Sequence, residues 1–204
     1  SIAAAELGAS PIRAFDYDND SVEATNLNFK KYVKNKDVSF KVTKNSVLDI
    51  DFLKSLPKFD IYYSWGVLHH TGSLHNSYAN LVNIIPSDSL LYIAIYNDQG
   101  MKSKLWWIIK YLYNKNFIYK SLIIFAGYWY FVFLKSIYNF LLNKKTRRGM
   151  NLYIDMKDWL GGFPFEVETE SQTISFFKTF GFELIKSYPV GDKLGCNEFV
   201  FKKK

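Results

Sequence analysis

The chain has one cysteine, Cys196. No internal disulfide can form, and a reducing, cytoplasmic setting is expected. His, Cys, Asp and Glu do not recur at metal-ligand spacing, so no metal site is expected. The first residues, SIAAAELGA, lack a basic flank and a long apolar core, so no secretory signal is expected. No internal repeat and no low-complexity linker is visible. The uncharged apolar run Leu122–Leu134 is thirteen residues, short of the ~18–20 required to span a bilayer. Acidic residues are absent from 101–148 altogether.

That last absence locates the charge. The formal net charge is +7 over 204 residues. Residues 101–148 hold ten Lys/Arg and no Asp/Glu, which leaves 16 basic and 19 acidic residues elsewhere, a net of −3. The same segment holds 14 of the 38 aromatic residues. The remainder reads as an ordinary globular chain, long enough for one good core.

Alternation of strand and helix signals runs along most of the chain. Ile2–Leu7 is helical and stopped by Gly8. Ile12–Phe15 is β-prone and ends in Asp16-Tyr17-Asp18. Asn19 or Asp20 is placed to cap a helix over Ser21–Tyr32. Val38–Val42 is a strand, followed by the loop Asn45–Asp49 and a short helix over Asp51–Leu56. Phe59–Tyr63, a helix over Leu74–Ile85 and the apolar run Leu90–Tyr96 read as strand, helix and a strand buried on both faces. Such a unit implies a parallel sheet with a right-handed crossover. Ligands of these sheets sit at the carboxyl ends of the strands.

After Asp98 come two aromatic segments, Leu105–Tyr113 and Phe117–Leu142, and a basic run Lys144–Arg148 that reads as a solvated hinge. Met156–Leu160 is short and amphipathic. Glu170–Phe180 is a helix ended by Gly181, and Phe182–Tyr188 and Glu198–Lys202 are strands joined in a hairpin.

The pairing of Phe59–His70 with Leu90–Asp98 resembles the fourth and fifth strands of class I S-adenosylmethionine-dependent methyltransferases. With the terminal antiparallel pair, the resemblance covers residues 1–98 and 156–202. It implies an α/β Rossmann-like fold of sheet order 3-2-1-4-5-7-6, mostly parallel with a C-terminal antiparallel hairpin, and S-adenosyl-L-methionine as cofactor. The family's first strand and its glycine-rich loop have no counterpart in the sequence, whose opening residues match the helix after that loop. A chain truncated after the motif is therefore expected, and by itself it should bind cofactor poorly. The implied organisation is 1–100 for the truncated cofactor-binding part, 101–155 for an inserted helical cap, and 156–204 for the end of the fold.

The resemblance also assigns residues. Asp16 matches the carboxylate that accepts hydrogen bonds from both ribose hydroxyls, which suits a vicinal diol. Tyr17 matches the position packed on adenine. In the loop after the third strand, Asp49 is the candidate for the adenine amine, and Val47 or Leu48 for a backbone bond to the ring. Ser64, Trp65 and Gly66 match the wall beside the methionine and sulfonium. Tyr96 and Asn97 are placed to face substrate. His70, ahead of its neighbour His69, is the candidate general base, because transfer to a hydroxyl requires proton removal and imidazole titrates near neutrality. His75 reads as exposed at a helix start. The stretch Asp158–Glu166 is similar to a DW-GG-PFE pattern of a bacterial methyltransferase subgroup, as is Gly195–Phe199.

These readings converge on methyl transfer to a small or lipid-like acceptor, through a hydroxyl oxygen. A sugar or polysaccharide-precursor methyltransferase and a non-catalytic membrane-associated module are the alternatives. The insertion is expected to form a lid with aromatic faces inward and lysines outward. An anionic membrane surface is a second possible partner for it, through a peripheral location, and a bilayer span is a third reading. A nucleic-acid partner is disfavoured, since the basic residues are interleaved with apolar ones rather than spread over an open polar face. An Asn-Pro-Pro-Tyr motif is also absent after the fourth strand.

Overall fold

The computed structural model describes residues 1–35, 37–141 and 151–204. They fall into two compact units, Ser1–Pro57 and Lys58–Lys204. The basic run Lys144–Arg148 lies outside the described residues.

In the first unit, helices α1 (Ile2–Glu6), α2 (Asn19–Tyr32) and α3 (Ile50–Ser55) accompany strands β1 (Ile12–Asp16) and β2 (Phe40–Lys44). The two strands are parallel, with Ile12 opposite Phe40 and Asp16 opposite Lys44. The second strand thus begins two residues later than the β-prone run suggests. The cap of α2 is Asp18, not Asn19 or Asp20: its carboxylate accepts from the Ser21 backbone N–H at 2.9 Å. That bond satisfies an orphan donor of the first turn and lowers the Asp18 pKa. Phe29 stacks on Phe40 at 3.7 Å between ring centroids, tying α2 to β2.

The second unit is built on β3 (Ile61–Trp65), β4 (Leu90–Tyr96), β5 (Phe182–Tyr188) and β6 (Cys196–Lys203), in the order β3-β4-β6-β5. The first pair is parallel and the other two are antiparallel. Together with β2-β1, these are the orders 3-2 and 4-5-7-6 of the sequence expectation, with its first strand left out. β4 buries Leu91, Ile93, Ala94 and Ile95, as a run apolar on both faces should. Helix α4 (Leu74–Ile84) buries Leu74, Ser77, Tyr78, Leu81 and Val82, one face at helical spacing. A later helix, Glu170–Thr179, starts with a capping box between Thr169 and Gln172. Its Phe177 packs between Tyr78 and Phe201, at 4.9 and 4.8 Å.

The insertion forms α5 (Met101–Lys115), then α6 (Phe117–Gly127), a π-helical stretch Tyr128–Leu134 and α7 (Lys135–Leu141). Helix α8 (Leu152–Gly161) follows, longer than its amphipathic core suggests, and Glu170–Thr179 is α9. The expectation of aromatics inward and lysines outward holds only in part: Tyr113 is buried, Trp106 packs against the core, and Lys102, Lys104 and Lys115 are exposed. Lys110 is buried, while Trp107, Ile108, Phe117 and Phe125 are exposed. The reason is that α5 and α6 offer apolar residues on every face, so periodicity does not say which face meets the core. Among the described residues, Phe117–Tyr138 is the one helical span long and apolar enough to cross a membrane.

Candidate active site

Both parallel pairs end in loops that carry the expected ligand-facing residues. In the first unit, the Asn45 N–H donates to the Asp16 carbonyl at 2.9 Å, so the loop after β2 starts against the end of β1. Asp16 Oδ1 accepts from the Asp18 N–H at 2.9 Å. Tyr17 is 78 % exposed, Leu48 is exposed and Val47 is buried. Asp49 caps α3, its Oδ1 accepting from the Phe52 N–H at 3.0 Å. In the second unit, Ser64 is half-buried and Trp65 exposed at the end of β3. Gly66 follows at φ +76°, a left-handed conformation where a Cβ would be strained. Its N–H donates to the Ala94 carbonyl at 3.3 Å, keeping the two strand ends together.

Beyond Gly66 a 3₁₀ turn, Leu68–His70, brings two histidines against Tyr96. The His69 ring lies 3.9 Å from the Tyr96 ring and that of His70 lies 5.4 Å from it. His69 Nδ1 accepts from the Tyr96 N–H at 3.3 Å. A neutral His69 therefore carries its proton on Nε2, which is buried and has no partner among the described residues. Burial, His70 and Lys110 pull its pKa down to about 3.

His70 is held the other way round. Its Nδ1 lies 2.7 Å from the Pro164 carbonyl, which can only accept, so Nδ1 carries the proton. In the neutral ring, Nε2 is then the basic nitrogen. Burial lowers its pKa, and Lys110 adds to that; the bond to Pro164 and the charges of Asp158 and Glu166 oppose it. The ring rests on Gly162, where a Cβ would come within 2.9 Å of it.

The loop Asp158–Glu166 thus wraps the histidine pair. The Glu166 N–H donates to the His69 carbonyl at 3.0 Å, and its Oε1 accepts from the Leu74 N–H at 3.1 Å. Lys110 reaches in from α5, donates to the Trp159 carbonyl, and sits 4.2 Å over the Trp159 ring and 5.0 Å over that of Phe165. Burial lowers its pKa to about 8, against the pull of Asp158. The arrangement can hold a neutral imidazole with one nitrogen anchored, in an aromatic, weakly hydrated setting at the ligand edge of β3 and β4.

No protein-family model matches the sequence, and no curated protein does. Solved structures do. Magnesium protoporphyrin IX methyltransferase from Synechocystis PCC 6803, with bound SAH, is similar over the whole chain and 68% of its own, at 11% identity and a TM-score of 0.58. PKMT2 from Rickettsia typhi is similar over the whole chain and 45% of its own, at 11% identity and 0.61. TehB from Haemophilus influenzae is similar over the whole chain and 53% of its own, at 9% identity and 0.56. The chain has the class I S-adenosylmethionine-dependent methyltransferase fold. It spans about half to two thirds of the length of these three structures.

Within this methyltransferase fold the structure brings together three stretches that the sequence reading singled out separately: His70, Tyr96 and the DW-GG-PFE loop. Asn97 is placed otherwise engaged. Its amide donates to the Gly191 carbonyl at 2.8 Å and its Oδ1 accepts from Asn197 at 3.0 Å, holding the loop between β5 and β6. Lys110 and Glu168 were missed. Glu168 is buried. It accepts from the Tyr78 hydroxyl at 3.0 Å and the Thr173 hydroxyl at 2.8 Å, and meets His75 Nε2 at 2.9 Å. A lysine inside a helix and a glutamate before one carry no local mark of burial.

A pH effect follows from His69. Its folded-state pKa is depressed, so the unfolded chain binds the extra proton below about 6.5 and folding excludes it. Stability from this group is full above that pH and falls toward about 3, by up to ~1.4 kcal/mol per unit. Urea unfolding of wild type and His69→Phe between neutrality and mild acid should show the shallower slope in the variant. Equal slopes would place the acid sensitivity elsewhere.

Proposed function

We propose that this chain performs S-adenosylmethionine-dependent methyl transfer to a hydroxyl oxygen of a small or lipid-like acceptor. The observation that carries the choice of oxygen is His70, whose Nδ1–H is anchored on Pro164 while Nε2 is left as the basic nitrogen beside Gly162. An alcohol must lose its proton as its oxygen attacks, and a neutral imidazole near its working pH is suited to take it.

The residues at the strand ends of each unit, taken separately, suit parts of the cofactor. Asp16 offers a carboxylate to a vicinal diol, and Tyr17 and Leu48 offer exposed apolar surface to a purine. Gly66 lets a ligand approach the backbone: no atom lies within 4 Å of where its Cβ would be. When bound, S-adenosylmethionine would supply an already activated methyl group. The protein's own share is then to align the acceptor, exclude water and hold the proton. Tyr96, Trp159 and Phe165 supply apolar walls for an acceptor, with ring centroids 5.2 to 6.3 Å apart. Cys196 is no competing nucleophile, because burial and then Glu198 raise its thiol pKa to about 12.

Two measurements test this. Asp16→Ala in the intact protein should weaken S-adenosylmethionine binding by about 1.5–3 kcal/mol, the loss of charge-assisted hydrogen bonds. Calorimetry showing unchanged affinity would remove the ribose assignment. Incubation of the intact protein with labelled cofactor and fractionated cell extract should yield a methyl ether in mass spectra. Label on nitrogen or on a carboxyl group alone would refute the hydroxyl acceptor.

A further inference from the structure

The helical rod from Phe117 to Tyr138 has two unlike faces. On one, Ile123, Ile124 and Val132 pack against the core formed by Tyr113, Met156 and Leu160. Gly127 lies on the same side. A Cβ there would meet Met156 Sδ at 3.1 Å and Leu160 Cδ1 at 3.2 Å, so the rod approaches α8 closely. On the other face, Ile118, Leu122, Phe125, Trp129, Phe133 and Ile137 are all exposed. They recur every three or four residues, which makes one continuous stripe about 30 Å long at ~1.5 Å per residue. A continuous apolar patch of this size is a contact surface rather than ordinary scatter.

We propose that this stripe docks on an anionic lipid bilayer, with the rod lying in the plane of the headgroups. Charge identifies the occupant. The segment that presents the stripe, residues 101–148, has ten Lys/Arg and no Asp/Glu. Lys102, Lys104 and Lys115 within it are exposed, whereas Lys120 reaches back over the Tyr113 ring at 5.3 Å on the core side. Apolar and aromatic side chains enter the headgroup boundary while the lysine stems reach lipid phosphates. Residues 101–148 themselves contribute no acidic group to oppose the approach. A second copy of the chain fits less well, because pairing two such segments would bring like charges together. Packing sets the depth. The core-facing side of the rod, partly buried at Ile123, Ile124 and Val132, packs on α8, which carries Asp155, Lys157 and Asp158. A rod crossing the bilayer would draw those charges into hydrocarbon, whereas one lying in the interface leaves them in water.

The test is vesicle flotation of the intact protein, with phosphatidylcholine alone and with phosphatidylcholine–phosphatidylglycerol mixtures, at low and high salt. Wild type should float with the mixed vesicles, detach as salt rises, and stay behind with neutral ones. Leu122→Glu/Phe125→Glu should reduce flotation by about tenfold or more. Both sites are exposed, so its thermal melting should match wild type. Lys102→Gln/Lys104→Gln/Lys115→Gln should reduce flotation and its salt dependence while keeping the stripe. Equal flotation with neutral and mixed vesicles would overturn the proposal in favour of simple hydrophobic insertion. Failure to float with either, or wild-type flotation by the Leu122/Phe125 variant, would overturn it outright. Self-association in light scattering that the same variant abolishes, without vesicle binding, would assign the stripe to a second copy instead.

Discussion

His70→Ala is expected to slow methyl transfer by about 10²–10⁴-fold, the usual contribution of a positioned general base. Cofactor affinity should change less than the rate, since His70 is not among the candidate cofactor residues: Asp16, Tyr17 and Val47–Asp49 lie on other loops, and Ser64–Gly66 precede it on its own. The reasoning starts from one bond. The Pro164 carbonyl, 2.7 Å from Nδ1, assigns the proton to that nitrogen and the lone pair to Nε2. Burial, and Lys110 beside it, keep the ring neutral at lower pH than a free histidine. The base form therefore predominates from below pH 6.5 upward. The rate should rise with pH through an inflection under the ordinary histidine value and then level off. His70→Asn separates catalysis from packing. Its side-chain amide can still donate to Pro164 but has no basic nitrogen, so it should fold as well as wild type and remain slow. Single-turnover rates across pH would decide. A His70→Asn enzyme with wild-type rate and profile would make His70 a structural residue only.

Glu168→Leu is expected to destabilise the second unit by about 3–5 kcal/mol, the range for breaking a buried charged network from one side. The carboxylate is the common acceptor for Tyr78, Thr173 and His75. Tyr78 and Thr173 are fully buried, so removing the acceptor leaves two hydroxyls, bonded to each other, with one donor unsatisfied. Glu168 also ties the site together through its backbone. Its N–H donates to the Tyr96 carbonyl at 3.0 Å and its carbonyl accepts from Asp98 at 3.2 Å. Glu168→Gln keeps an acceptor oxygen and the same shape, and should lose only about 1–2 kcal/mol. Urea denaturation of the three proteins would measure both. A Glu168→Leu loss below about 1 kcal/mol would show that the hydroxyls find other partners.

Local chemistry made some elements readable residue for residue. β4 spans Leu90–Tyr96 and β5 spans Phe182–Tyr188, as the runs between the turns Pro86–Asp88 and Gly181 imply. Where several residues have the same local aptitude, the reading drifted. Asp18, Asn19 and Asp20 can all cap a helix, and the choice of Asp18 follows from where β1 ends against Lys44. Cys196 and Asn197 read as hairpin loop but are strand, because they pair with Tyr96 and Ile95.

The sequence by itself determined the succession of strands and helices, the methyltransferase sheet order apart from its first strand, and the concentration of basic charge in 101–148. The first and the last are encoded by short-range periodicity, turn residues and composition, whereas the sheet order is what the resemblance to the family implies. Only the tertiary structure decided what surrounds the histidines and which way the insertion faces. Apart from Thr173, the side-chain partners named for His70 and Glu168 lie 90 or more residues away, at Pro164, His75 and Tyr78. Such a bond leaves no trace in the spacing around either residue. The insertion is apolar on every side, so its pattern holds no inside and outside. Contact with Met156 and Leu160 assigned one face to the core and left Phe125 and Trp129 on the other.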